Sequence, residues 1–116
     1  GRAAAEWFLR LRPEERPDAV FAVNDLVALG MLHRIVADGS FRVPEDLAIV
    51  GFNDTESEEY AVIPLTSVRV SQEEIGQTAL RMLLDVIADH ATPVRHRRLQ
   101  PELIVRSSTV PHPNSR

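Results

Sequence analysis

The chain has 116 residues, 44% of them hydrophobic, which is enough for one domain at most, or part of one. It has no cysteine, which excludes disulfides and thiolate metal sites, and its formal net charge of -4 argues against a grip on nucleic-acid phosphates. No apolar run is long enough to span a bilayer, and the charged opening GRAAAEWFLRL is not a secretion signal.

In chain order, Ala3 to Leu11 has helical spacing, with Ala4, Trp7, Phe8 and Leu11 at i, i+3, i+4 and i+7, so Trp7 is predicted to lie in the core. The chain opens inside this helix and without an initiating methionine, so a fragment of a longer protein is expected. RPEERP, punctuated by Pro13 and Pro17, is a charged loop. AVFAV, Ala19 to Val23, is short, apolar and partly β-branched, as a strand buried on both faces should be. Asp25 is predicted to cap a helix that runs to about Asp38 and stops at Gly39. VPEDLAIVGF supplies a turn at Pro44 and a second buried strand, Leu47 to Val50, with Gly51 for a tight exit.

NDTESEEYAVIPLTSVRV holds an acidic loop or short helix, a break at Pro64 and a third strand around Ser67 to Val70. Ser71, with Glu74 three residues on, has the capping-box pattern for a long helix from 72 to about His90. TPVRHRRLQP is a loop, ELIVRSS a fourth strand and VPHPNSR a frayed tail. Short apolar strands alternating with helices predict an α/β fold, a parallel sheet with helices on both faces. Ligands of such sheets sit beyond the carboxyl ends of the strands. Asn24 and Asp25 stand at the end of the first strand, and Asn53 and Asp54 at the end of the second. Amides and carboxylates at one sheet edge suit the hydroxyls or amines of a small polar ligand.

RPDAVFAVNDLVALGML, VPEDLAIVGFND and PLTSVRVSQEEIGQTALRMLLD, followed by LQPELIVRSST, together resemble the LacI family of bacterial transcription regulators. The resemblance covers nearly the whole chain, in order. It implies the C-terminal part of a Rossmann-like, periplasmic-binding-protein-like effector domain, with the DNA-binding helix-turn-helix and most of the first subdomain upstream of this sequence. Residues 1–70 and 100–109 would then belong to the second subdomain, 71–99 would cross to the first, and 110–116 would be a tail. The resemblance also implies effector contacts at Asn24 and Asn53, with Gln72 nearest to a further contact early in the long helix. Asn53 departs from the aspartate many relatives carry there: an amide donates and accepts but brings no charge.

The effector implied is a sugar, nucleoside or polyol, with no cofactor and no metal. The other partners implied are operator DNA through the missing segment only, and a second copy of the chain through helix 72–90 or helix 26–37. The setting implied is the cytoplasm, with no membrane. An exported solute-binding receptor for transport shares this fold and is the alternative. An enzyme has no support, since no Ser-His-Asp set, GxSxG, P-loop or GxGxxG is present.

Competing structural roles are plain for several of these residues. Asp25 is a candidate ligand contact, but a helix N-cap accounts for it fully. Asp54 is expected to fix its loop or cap the short helix. Asp54, Glu56, Glu58 and Glu59 lack the ligand order of a calcium loop and read as a solvated acidic face. His33, His90, His96 and His112 have no metal-ligand spacing, and RHRR, Arg95 to Arg98, reads as a solvated loop. Helices 26–37 and 72–90 are apolar around most of their circumference, so both are expected to be covered by something.

Overall fold

The computed structural model describes residues 1–55, 61–89, 93 and 95–110. Two compact units make up the chain: Gly1–Arg69 with Glu102–Arg116, and Val70–Pro101. The first unit contains helix α1 (Arg2–Arg10), strand β1 (Ala19–Phe21), helix α2 (Asp25–Asp38), strand β2 (Ala48–Asn53), strand β3 (Thr66–Arg69) and strand β4 (Glu102–Ile104). The second contains helix α3 (Gln72–Ala88). RPEERP, expected as plain loop, winds a short 3-10 turn over Pro13–Glu15, with Pro13 at its start where a missing N–H costs nothing.

The sheet order is β1-β2-β3-β4. β1, β2 and β3 run parallel, with Phe21 opposite Val50 and Val50 opposite Thr66. β4 is antiparallel to β3, pairing Arg69 with Glu102 and Ser67 with Ile104. The sheet is therefore mixed rather than wholly parallel, while the α/β class holds. The physical reason lies in the register. Residues 70–101 leave the sheet at Arg69 and return at its direct partner Glu102, and a chain that returns at the end it left from must run back antiparallel. β4 is also shorter than ELIVRSS suggests, because Ser107–Thr109 form a turn. The buried Ser108 hydroxyl accepts from the Thr66 N–H at 2.8 Å and donates to the Ile49 carbonyl at 2.6 Å, bridging β2 and β3 where their own ladder has ended.

α2 packs on β2, and α1 packs on α2. The core between them holds Phe8, Ala28, Ile35, Leu47, Ile49 and Leu65, all with no exposed surface. Each large side chain buried there is worth ~1.5–3 kcal/mol. Phe8 meets Phe41 edge-on with ring centres 5.2 Å apart. The α1 stripe is turned from the expected one: Ala5 and Phe8 are buried, and Trp7 is 59% exposed. One helix face contacts α2, and Phe8 occupies it, leaving Trp7 about 100° away around the axis. β1 also departs from expectation, since Phe21 is 65% exposed. By register Phe21, Val50, Val68 and Leu103 share the sheet face opposite to Ile49, and Leu103 is likewise exposed.

α2 ends as expected at Gly39, whose left-handed φ of 77° suits a residue without Cβ. Ser71 caps α3 by accepting from the Glu74 N–H at 3.2 Å. α3 ends at Ala88 with Asp89 after it, close to the expected end at about His90. His90, Glu56, Glu58, Glu59 and His112 lie outside the described residues.

Candidate functional site at the strand ends

Because β1, β2 and β3 are parallel, their carboxyl ends form one edge. Asn24 and Asn53 each stand three residues beyond the paired Phe21 and Val50, Asn53 pairs with Arg69, and Arg69 pairs with Glu102. A row of polar residues thus runs along the edge.

Asn24 caps α2: its Oδ1 accepts from the Val27 N–H at 2.9 Å, and its backbone is extended. The expected cap, Asp25, is instead the first helical residue. Both residue types cap well, and tertiary contacts decide between them. The Asp25 carboxylate turns into the sheet, 2% exposed, where it accepts from the Ser67 hydroxyl at 2.6 Å and the Thr55 N–H at 3.3 Å. The N-terminal end of α2 adds a favourable field for its charge. Gly51 makes room for this. It sits inside β2 rather than at a tight exit, and a Cβ there would collide with Asp25 Oδ1.

With its oxygen committed to the helix, the Asn24 side chain keeps its N–H2 donors, which bond to no described residue. The Asn53 side chain forms no hydrogen bond with any described residue. Its φ is 112°, and that of Asp54 is 55°. Asp54 lies deeper: its carboxylate is 2% exposed and receives Arg69 Nε on one oxygen and Arg106 Nη1 on the other, both at 2.6 Å. Burial pushes the Asp54 carboxyl upward, but the hydrogen bonds and charge of Arg106 and Arg69 together outweigh it and leave the group below the usual aspartate value. Sequence reasoning missed both arginines. The available signal was Arg106 itself, a charge set between the apolar ELIV and the buried Ser108.

Gln72 stands at the start of α3, exposed, in the Val70–Pro101 unit. Cavities are lined by residues other than Asn24, Asn53 and Asp54. One of about 430 Å³ runs between α3 and residues 95–101 within the second unit. Another of about 620 Å³ is lined by Phe41, Pro44 and Pro64, and an apolar one of about 390 Å³ by Leu29, Leu32, Val36 and Val62. Among the described residues there is no group of three or more His, Asp or Glu placed to hold a metal ion. No helix among them is long and apolar enough to cross a membrane.

The family of periplasmic-binding-protein-like domains matches residues 1–109. The chain belongs to that family. An HTH-type transcriptional repressor PurR from Vibrio campbellii is 37% identical over 95 residues, which is 82% of this chain and 28% of the relative. The transcriptional regulator CelR in its cellobiose complex is 41% identical with a TM-score of 0.73, over 78% of this chain and 28% of that one. A LacI family transcriptional regulator from Arthrobacter in complex with lactose is 33% identical with a TM-score of 0.79, over 93% of this chain and 40% of that one. The resemblance to LacI-type regulators is thus upheld, and these matches are regulators rather than transport receptors. The chain spans less than a third of the length of the repressor it matches.

Proposed function

We propose that this chain is an effector-sensing portion of a LacI-type transcription regulator, with the strand-end edge as one wall of the effector site. What carries the proposal is the pair of amides with unspent hydrogen-bonding capacity, Asn24 and Asn53, side by side where ligands of parallel sheets bind. Donors and acceptors without a free charge suit a neutral polyhydroxylated molecule, and regulators with bound lactose and cellobiose are among the solved neighbours. A sugar is the first choice, before a nucleoside or a polyol. Gln72 is a further proposed contact in the longer protein. Asp25 acts from beneath, since both its oxygens already accept hydrogen bonds.

In this proposal operator DNA is held by a segment outside this chain, and the regulator works in the cytoplasm. Two copies associate through α3, where Leu80, Leu83, Leu84 and Ile87 are each more than half exposed, or through α2, where Leu26 is 80% exposed. Effector binding is transmitted by a change of state in the longer protein that both sites bias.

The test is a titration of the isotope-labelled chain with lactose, cellobiose, a purine nucleoside and a polyol, followed at the side-chain amides of Asn24 and Asn53. Millimolar binding of a sugar, as one wall of a cleft supplies, is expected to shift both signals. A panel that leaves both amides unmoved sinks the proposal.

A further inference from the structure

Asn53 holds a backbone conformation that costs a non-glycine residue about 1–3 kcal/mol, and Asp54 follows it with a left-handed φ of its own. Such a pair persists only if its surroundings over-determine it. Here the surroundings are specific. The Asp54 N–H donates to the Ser67 hydroxyl at 3.1 Å, and that hydroxyl donates to Asp25. The Thr55 N–H donates to the other Asp25 oxygen. The Asp54 carboxylate is gripped from two sides by Arg69 and Arg106. Arg106 is itself fixed, because Nη1 also donates to the Leu65 carbonyl at 2.7 Å and its side chain is only 16% exposed. Each oxygen of Asp54 therefore has a charged donor, one from the last residue of β3 and one from just beyond β4.

We propose that Arg106 and Arg69 are positioning residues for the effector edge: by clamping Asp54 they hold the left-handed turn that presents Asn53. Neither arginine has to touch the effector for this. The chain runs from Arg69 into the Val70–Pro101 unit, and β4, which leads to Arg106, begins where the chain returns. The geometry of Asn53 is thereby tied to the neck between β3 and β4. The inference rests on the effector reading of the edge only for its purpose; the clamp is a statement about backbone geometry that is measured without any effector.

The experiment measures the three-bond HN–Hα couplings and backbone shifts of Asn53 and Asp54 in the labelled chain. The native chain shows the signature of positive φ at both. Arg106→Met is expected to lose it at both residues, while Arg106→Lys, which keeps a charged donor toward Asp54, retains it. A loss of stability alone, with the signature intact in the folded fraction, would show that Arg106 is merely structural. Should Arg106→Met fail to fold, Asp54→Asn removes the charge at constant shape and carries the same readout. An unchanged signature in folded Arg106→Met or Asp54→Asn overturns the proposal. Lactose separates the two ideas. If it moves no Asn53 signal in the native chain while Arg106→Met still abolishes the turn, the clamp stands and the effector assignment of the edge fails.

Discussion

At the scale of single residues, Asn24 has one end committed to the helix and one end open. Asn24 spends its oxygen on the Val27 N–H and keeps its nitrogen. Asn24→Ala therefore mixes two effects, the loss of a helix cap worth ~1 kcal/mol and the loss of the proposed ligand donor. Asn24→Asp separates them, since a carboxylate caps as well but donates nothing. The expected outcome is a melting temperature near that of the native chain for Asn24→Asp, with sugar binding weakened up to roughly tenfold, the value of one hydrogen bond. Native affinity in Asn24→Asp would assign the residue to the helix alone. Asp25 and Asp54 make the complementary point. Both are carboxylates at the edge, and both are consumed internally, one by Ser67 and Thr55 and the other by Arg69 and Arg106. The residue that looks most like a ligand contact by its charge is the one that carries the scaffold.

At the scale of elements, α3 is the outlier. None of its residues is buried. Its apolar side chains form two stripes. Ile75, Thr78, Ala79 and Met82 line the cavity toward residues 95–101, and of the helix only Thr78 and Met82 are half-buried. Leu80, Leu83, Leu84 and Ile87, at i, i+3, i+4 and i+7, are each more than half exposed. A contiguous stripe of this kind in water drives association, each side chain contributing ~1.5–3 kcal/mol on burial. The native chain is expected to self-associate at micromolar concentration, and the double substitution Leu83→Glu with Ile87→Glu to weaken that at least tenfold while helicity is kept. Light scattering and circular dichroism decide it. A native chain that stays monomeric, or a double variant that associates unchanged, would show that this stripe is not the adhesive surface.

At the scale of the whole molecule, the two units are unequal. Every buried hydrophobic residue among those described lies outside 70–101. The Val70–Pro101 unit leaves and rejoins the sheet at directly paired residues, Arg69 and Glu102. A two-residue Asn-Gly turn is long enough to join such a pair as a hairpin. Replacing residues 70–101 by that turn is expected to leave a folded first unit, with a cooperative thermal transition and native-like amide shifts for Phe8, Ile35 and Ile49. A chain that fails to fold, or melts without cooperativity, would show that the excursion supports the core after all.

The order of helices and strands was legible in the sequence because each element announces itself locally. Hydrophobic period, capping residues and the glycine after α2 act within a few residues of one another, and Ser71 and Gly39 stand where those rules place them. The edge that holds Asn24 and Asn53 was legible too, since it follows from parallel strands and their ends. Tertiary structure alone decided the rest. The direction of β4 depends on where a 32-residue excursion returns, which no local signal encodes. Whether Asn24 or Asp25 caps α2 depends on Ser67, more than forty residues away, claiming the Asp25 carboxylate. The grip of Arg106 on Asp54 joins residues 52 positions apart. Long-range pairs of this kind are set by how the strands come together: a pattern read along the chain can mark one member, as the charge of Arg106 does, but does not name its partner.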